Sequence, residues 1–250
     1  GSGDLHALRA DGTVFSWGGG IGDNIKASTV GADQLNGSIA VTDFFANSGA
    51  FAALRANGSL VLWGDPATGG YTPTIATAVN GAIPVTAVNK TYGAFAALRS
   101  DGSVLAWGDP RYGGNASAVA SQIDGTLDVT AIAASEGGAF AAIRVDGSVV
   151  TWGDSNSGGD SSAVASNING TVDVVSIRGG YGAFAALRTD GSVVTWGSPS
   201  YGGDSSTVAG ALNGTIDVVK IFSNDYSFAD LRVDGSVVTW GSSTNGGDSS

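Results

Sequence analysis

The chain has no cysteine and no methionine, only one glutamate and one histidine, and no apolar run as long as a membrane-spanning helix requires. Without cysteine, disulfide bonds and thiolate metal sites are excluded. A Ser-His-Asp triad could use only His6, which stands beside the start of the sequence. No copy of the repeat described below is seen to break the pattern and form a special pair of carboxylates, as in glycoside hydrolysis. The sequence therefore predicts that the protein is not an enzyme and has no catalytic residues.

The charge of the chain is one-sided. Its 250 residues include 22 acidic and 11 basic side chains, and the formal net charge at pH 7 is −11. An acidic surface repels phosphate groups, so neither nucleic acid nor anionic lipid is expected as a partner. The acidic residues are almost all aspartate, and 41 residues are glycine. Both residue types favour turns over helices, which indicates a protein built from strands and tight turns.

Six tryptophans mark an internal repeat, because their spacings are 46, 44, 45, 44 and 44 residues. Each tryptophan lies near the end of a repeated hairpin sequence, such as "AFAALRTDGSVVTWG", in which Asp-Gly or Asn-Gly separates two apolar runs. The copies lie near residues 5–18, 50–64, 94–108, 139–153, 183–197 and 227–241. A fixed period of this size is typical of solenoids, propellers and arrays.

Each repeat contains enough chain for four strands. From residue 173 onward, "DVVSIRG" is strand A, "AFAALRT" is strand B and "SVVTWG" is strand C, while "TVAGAL" is an outer strand D or a short helical turn. The strands are apolar almost throughout, so both faces of the sheet should be buried, as in a propeller blade. We therefore predict an all-β fold: a single β-propeller domain over residues 1–250, with about six four-stranded antiparallel blades of 44–46 residues.

The sequence leaves open whether such a ring closes within this chain, and with six blades or seven. The first hairpin begins at strand B, and the sixth repeat stops after strand C. We expect either a segment of a longer repeat protein or an open arc whose free strand edges pair with a neighbouring molecule.

The pattern V-x-x-I followed by G-A-F-A-A-L-R-x-D-G-S-V-x-x-W-G-x-x-x-x-G-G resembles the repeat of the regulator of chromosome condensation family over nearly the whole chain. The resemblance implies a β-propeller. The short period is similar to that of bacterial members, including the propeller-type β-lactamase inhibitor protein. In that inhibitor, aromatic side chains on the A–B and C–D connections contact the partner. The resemblance implies the same role for the tyrosines on these connections here.

Every tyrosine stands in a connection between strands, either A–B or C–D. In an antiparallel blade these connections emerge at the same end, so the tyrosines are expected on one face, together with three basic residues. Tyr and Arg anchor interfaces more often than other residues. The predicted partner-binding residues are Tyr71, Tyr92, Tyr112, Tyr181, Tyr201, Tyr226, Lys90, Arg111 and Arg178. The alternative is that the rings only cap the blade ends and pack on adjacent glycines.

Two repeated polar features have two interpretations each. An arginine follows strand B in every copy; these arginines either form a cationic ring for an anion or pair with nearby aspartates, and their repetition favours the structural pair. They are Arg9, Arg55, Arg99, Arg144, Arg188 and Arg232. The run Gly-Gly-Asp-Ser-Ser at 158–162, 202–206 and 246–250 offers oxygen ligands for calcium, but turn chemistry explains it as well. We therefore predict no metal site and no cofactor, with calcium as the alternative.

The leading hypothesis for function is a non-enzymatic repeat module of a bacterial extracellular or cell-surface protein. It would be a structural or adhesive scaffold whose loop face binds a protein or a glycan, since duplicated repeats multiply weak sites. One alternative is a dedicated propeller binder, such as an enzyme inhibitor or regulator. Another is the subunit of a self-assembling fibre or matrix that associates through open strand edges.

Overall fold

The computed structural model of the chain describes residues 5–8, 10, 14–17 and 35–248. Seventeen β-strands lie in this part of the chain. They are β1 (Leu5–Leu8), β2 (Val14–Trp17), β3 (Val41–Ala46), β4 (Ala50–Arg55), β5 (Leu60–Gly64), β6 (Val85–Lys90), β7 (Ala94–Arg99), β8 (Val104–Gly108), β9 (Val129–Ser135), β10 (Ala139–Arg144), β11 (Val149–Gly153), β12 (Val174–Gly179), β13 (Ala183–Arg188), β14 (Val193–Gly197), β15 (Val218–Ser223), β16 (Ser227–Arg232) and β17 (Val237–Gly241).

Each sheet is antiparallel and is formed by strands that follow one another in the chain. Strands β1 and β2 form a two-stranded sheet, blade 1. The remaining strands form five three-stranded sheets in the order A–B–C, namely blade 2 (β3–β5), blade 3 (β6–β8), blade 4 (β9–β11), blade 5 (β12–β14) and blade 6 (β15–β17). In the B–C hairpin of blade 5, Phe184 pairs with Trp196 across the strands. The predicted all-β architecture of antiparallel blades is confirmed.

For the segment after strand C the sequence left a fourth strand or a short helical turn open, and in blades 2 to 5 it is helical, so these sheets have three strands. It is the α-helix α1 (Pro73–Ala78) in blade 2, and 3₁₀ helices over Ser117–Gln122, Ser162–Asn167 and Ser206–Ala211 in blades 3 to 5. After each 3₁₀ helix one residue bridges back to the sheet, as Asn213 does to Ser192. A helical turn satisfies part of its own backbone, whereas a fourth strand would leave an open edge. No helix among the residues described is long and apolar enough to cross a membrane.

In blades 2 to 6 a shorter 3₁₀ turn begins the C–D connection. These turns lie at Pro66–Thr68, Pro110–Tyr112, Ser155–Ser157, Pro199–Tyr201 and Ser243–Asn245. In blade 3 the Asp109 carboxylate accepts the Arg111 backbone N–H, and Gly113 ends the turn with a left-handed φ of 88°. Aspartate as the cap, proline at the first position and glycine at the end are the residues that such a turn favours.

Strand B is the central strand of blades 2 to 6, and in blades 3 to 5 it packs on both neighbouring blades. Alternate residues of a strand point to opposite faces. In blade 4, Ala139, Ala141 and Ile143 therefore pack together against Phe184 and Ala186 of blade 5. The alanines are fully buried, and their small side chains let two sheets approach closely. The hydrophobic core is thus divided into a series of joints, one between each pair of successive blades.

Four successive joints contain the same hydrogen bond from an indole to a glycine. The Nε1 atoms of Trp107, Trp152, Trp196 and Trp240 donate to the carbonyl oxygens of Gly69, Gly113, Gly158 and Gly202 over 3.0 to 3.1 Å. A Cβ on Gly113 would lie 2.7 Å from the ring of Phe140, which stacks on Trp152 with 5.3 Å between ring centres. Each blade therefore inserts a Phe–Trp pair into a glycine socket of the preceding blade.

Candidate binding face

The A–B and C–D connections of a blade lie side by side at one end of the sheet. In blade 3 the Thr91 Oγ1 donates to the Tyr112 carbonyl oxygen over 2.7 Å. In blade 4 the Ser135 Oγ donates in the same way to Ser157 over 2.8 Å. We name this end of the blades the connection face and the opposite end, which carries the Asp-Gly turns, the turn face.

Backbone hydrogen bonds join the A–B connections from one blade to the next. They run from the N–H of Ser48 to Tyr92, from Tyr92 to Glu136, from Glu136 to Gly180 and from Tyr181 to Asp225, with N···O distances of 2.8 to 3.1 Å. The main chain thus ties five consecutive blades together at this face. The side chains on these connections are therefore attached to a backbone that is fixed by hydrogen bonds.

Three tyrosines form a row of ring contacts at the joint between blades 5 and 6, in which Tyr201 of blade 5 stacks on Tyr226 of blade 6. The ring centres of Tyr181 and Tyr201 are 5.1 Å apart, and those of Tyr201 and Tyr226 are 5.5 Å apart. Tyr181 is 41% exposed and Tyr226 is 42% exposed. Stacked rings with accessible surface and hydroxyl tips form an apolar platform that can also make hydrogen bonds.

A second tyrosine pair lies in blade 3, with 5.3 Å between the ring centres of Tyr92 and Tyr112. The Arg111 guanidinium lies 5.8 Å from the centre of the Tyr112 ring, and its Nη2 is 2.7 Å from the Asp109 Oδ2. Arg111 holds the pKa of the Asp109 carboxyl below its ordinary value. This pair therefore already carries a cation that is neutralised by its own aspartate.

Lys90 is the last residue of strand β6 and connects blade 3 to blade 4. Its Nζ lies 2.6 Å from the Glu136 Oε1, and both side chains are partly exposed. Since both predicted basic residues at this end, Lys90 and Arg111, are in ion pairs, the connection face offers tyrosine surface more than free positive charge.

Two of the predicted site residues lie away from these rings. Tyr71 follows the Gly-Gly pair of its connection, whereas Tyr112 and Tyr201 precede theirs. Like those two tyrosines, Tyr71 packs against the core of a joint, which for Tyr71 is the joint between blades 2 and 3. Arg178 is an exposed residue within strand β12 and lines a hollow between blades 4 and 5 with Ile132. The residues brought together at the connection face are Tyr92, Tyr112, Tyr181, Tyr201, Tyr226, Lys90 and Arg111.

On the turn face, the repeated arginines belong to a structural network. In blades 2 to 6 the arginine Nε donates to the serine hydroxyl of the following turn over 2.7 to 2.8 Å. In blade 5, Ser192 in turn donates to Asp190, whose carboxylate lies 3.5 Å from the Arg188 guanidinium. The arginines that the structure describes are therefore paired within the blades, while Arg9 lies outside the described residues.

The Gly-Gly-Asp-Ser-Ser runs show turn chemistry. The carboxylates of Asp160 and Asp204 accept the backbone N–H groups of Ser162 and Ser206 over 2.9 and 2.8 Å. The third copy extends beyond the described residues. In the part of the chain that the structure covers, no three His, Asp or Glu side chains come together as metal ligands.

Strand B of blade 6 contains a residue that the sequence interpretation missed. It reads "SFADLR", so Asp230 stands where blades 2 to 5 have alanine. The Asp230 side chain is fully buried, and neither carboxyl oxygen accepts a hydrogen bond from the described residues. Burial raises the pKa of Asp230 to about 7. Asp230 is a departure from the repeat that the sequence interpretation did not single out, and an alignment of the six copies with one another would have revealed this aspartate.

Blade 6 also presents a glycine socket that no blade in the described part of the chain fills. A Cβ on Gly246 would have the Ser227 Oγ of its own blade as its nearest neighbour, at 3.5 Å. On the same outer face of the sheet, at the start of strand β17, Val237 is 56% exposed, although Val193 at the same position of blade 5 is only 9% exposed. Gly246 and the exposed Phe222 line a hollow on this face. The outer face of blade 6 thus has the composition of a joint but remains accessible.

Comparison with models of protein families gives no match, and comparison with curated proteins gives none either. Solved structures do match. Human WBSCR16 has a TM-score of 0.57 at 18% identity, over 95% of this chain and 73% of that chain. Yeast RCC1 (Prp20), in its structure with Kap60, has a TM-score of 0.55 at 16% identity, over 96% of this chain and 68% of that chain. The ectodomain of the Physcomitrella patens receptor kinase CR4 has a TM-score of 0.54 at 18% identity, over 96% of this chain.

These similarities establish the class of fold, which is an RCC1-like β-propeller. This chain spans 60% of the length of the moss ectodomain. At such identities the likeness concerns the fold alone, and the link to bacterial members and to the β-lactamase inhibitor protein stays a prediction.

Proposed function

We propose that this protein is a non-enzymatic binding module whose connection face holds a protein partner, with a glycan as the second ligand class. The observation that carries the proposal is the stack of Tyr181, Tyr201 and Tyr226 on connections that backbone bonds tie together. Tyrosine supplies a large contact area at low cost in conformational entropy and is enriched among residues that dominate binding energy. A preformed frame further reduces the entropy lost on binding.

Proteins of similar fold support a role in protein binding. One of the similar structures is yeast RCC1 with Kap60 bound to it, and another is yeast Prp20p, described with its binding to Gsp1p and histones. For the present chain the proposal depends on its own tyrosines. The setting that we propose is a structural or adhesive scaffold of the bacterial cell surface or extracellular space, supported by the near-identity of its repeats.

The test is to probe protein and glycan arrays with the wild-type chain and with a Tyr181→Ser/Tyr226→Ser variant. The matched control is Val145→Ser/Val233→Ser, which removes two exposed apolar side chains from the turn face. We expect the tyrosine variant to lose binding by about tenfold or more, the usual effect of removing dominant interface residues, and the control to bind like the wild type. Equal binding by the tyrosine variant, or equal loss in the control, would contradict the proposal.

The unfilled socket of blade 6 favours a second candidate function, self-assembly. The four described joints show which group fits such a socket, namely the Phe–Trp pair of another blade of this repeat. A second copy of the chain is therefore the occupant that we propose. Such a contact joins two different surfaces, so it extends into arcs or filaments unless its rotation closes a ring.

Light scattering over a range of protein concentrations tests this candidate. We expect concentration-dependent oligomers for the wild type and monomers for Val237→Asp, because an exposed ionised carboxylate must lose its water or take up a proton to enter an apolar joint, which weakens association. Val233→Asp is the control, since Val233 is 67% exposed but lies at a turn away from the joint face. A wild type that is monomeric at every concentration excludes a second copy as the occupant.

A further inference from the structure

Asp230 lies inside the joint between blades 5 and 6. On strand β16 it shares a face with Phe228, which packs against Ala183 and Ala185 of blade 5. Its partners on the neighbouring strands are Ile221 and Val238, both buried. Among the described residues, Asp230 is the one ionisable side chain that is fully buried.

No charge compensates this carboxyl from the strands packed around it. Arg188 on β13 and Arg232 on β16 donate to serines of the turns, and Lys220 on β15 lies over the Phe222 ring. Arg178 on β12 is exposed, and strands β14 and β17 contain no charged residue. Burial is accordingly the cause of the raised pKa of Asp230. An ionised carboxylate in such surroundings is strongly disfavoured until water reaches it.

The same joint carries two features of the binding face. The Tyr201–Tyr226 stack crosses it, and so does the hydrogen bond from Tyr181 to the Asp225 carbonyl. In a row of repeats one joint can open while the other joints stay closed.

We propose that Asp230 makes the joint between blades 5 and 6 pH-sensitive: the joint is closed while the carboxyl is protonated, and it opens when the carboxyl ionises and becomes hydrated. Opening separates Tyr226 from Tyr201 and so dismantles the tyrosine platform. The inference concerns the joint itself and holds whether or not the connection face binds a partner.

The expected pH profile follows from proton linkage. The closed joint holds its proton up to pH 7 or so, whereas the open form has the ordinary carboxyl pKa of 3.8. The equilibrium constant for opening therefore rises by about tenfold per pH unit between the two pKa values and levels off above the higher one. Between pH 6 and pH 8 the rise is about tenfold.

Amide hydrogen exchange of the full chain, followed by mass spectrometry and corrected for intrinsic rates, measures this opening. Peptides covering residues 227–241 report on blade 6, and those covering 183–197 report the same hairpin in blade 5. We expect protection in blade 6 to fall by about tenfold from pH 6 to pH 8, with no matching change in blade 5.

Three variants make the test decisive. Asp230→Ala restores the residue of the other blades and should remove the pH dependence, and Asp230→Asn should also remove it because an amide does not titrate. Ala186→Asp places a carboxyl at the equivalent position of blade 5 and should extend the effect to residues 183–197. Equal protection of blade 6 at pH 6 and pH 8 in the wild type, or a pH dependence that persists in Asp230→Ala, overturns the inference.

Discussion

At the scale of the residue, we predict that Asp230, which stands where blades 2 to 5 have alanine, makes the stability of this protein depend on pH. The folded-state pKa of Asp230, about 7, lies above its ordinary value of 3.8. The stability contributed by the protonated carboxyl is therefore fully present below pH 3.8 and is lost as pH rises through 7. The loss amounts to as much as about 4 kcal/mol for a shift of roughly three pKa units.

We predict that Asp230→Ala is more stable than the wild type and that the difference widens between about pH 4 and pH 7. Urea unfolding at a series of pH values, with the free energy of unfolding of both proteins extrapolated to water, measures this difference. A gap of constant size across the series would show that Asp230 does not titrate on folding.

Residues that recur in the copies of the repeat were predicted correctly from the sequence. Residues at which one copy differs from the others were missed. The Asp-Gly turns and the buried tryptophans recur in the copies, so their physical roles could be inferred from one copy. Asp230 stands where blades 2 to 5 have alanine. Tyr71 follows its Gly-Gly pair, whereas Tyr112 and Tyr201 precede theirs. The sequence shows both differences, but the burial of Asp230 depends on the neighbouring blade, which no single repeat contains.

At the scale of the element, the glycine at the end of each C–D turn is required both for its backbone conformation and for its lack of a side chain. Gly113 has a φ of 88°, and a Cβ there would lie 2.7 Å from the Phe140 ring. Gly235 has a φ of 82° but has open space around it. An alanine at Gly235 therefore introduces backbone strain alone, whereas an alanine at Gly113 introduces both backbone strain and steric overlap.

We predict that Gly235→Ala lowers the free energy of unfolding by about 1 kcal/mol through strain alone. Gly113→Ala should lower it by about 2–4 kcal/mol, because the methyl group also displaces the Phe140 ring. Thermal unfolding by calorimetry compares the two variants. Equal losses would mean that the neighbouring blade can move away from the glycine socket without a penalty.

The hairpins could be predicted from sequence because their turns are local, whereas the segment after strand C could not. "TVAGAL" has apolar residues at spacings that fit both a short strand and a helical turn, and both alternatives were left open. The choice is decided by the blade: the 3₁₀ helix Ser206–Ala211 is followed by the buried Leu212, which packs into the joint with blade 6. After the helix, a single β-bridge between Asn213 and Ser192 connects this segment to the sheet.

At the scale of the whole molecule, stability is distributed among similar joints. In a row of repeats that contact only their neighbours, a repeat with one neighbour unfolds more easily than a repeat with two. Trp152 in the joint between blades 3 and 4 and Trp240 in the joint between blades 5 and 6 make equivalent hydrogen bonds. Their removal should nevertheless have different consequences.

We predict that Trp240→Ala releases blade 6 and leaves exchange protection in blades 3 and 4 unchanged. Trp152→Ala should weaken blades on both sides of its joint and lower the stability of the whole row by about 3–5 kcal/mol. Hydrogen exchange resolved by blade, together with urea unfolding, distinguishes the two results. If both variants reduced protection in every blade equally, the molecule would unfold as one cooperative unit.

The indole-to-glycine bond that recurs at each joint also sets how the protein responds to tension. Because the joints resemble one another apart from the one that contains Asp230, a chain stretched between two anchor points would yield blade by blade, beginning at the joint between blades 5 and 6. Each blade that yields frees about 44 residues, or about 150 Å of extended chain. The molecule would then lengthen in even steps and absorb mechanical load, while blades that are still docked keep their connection faces intact.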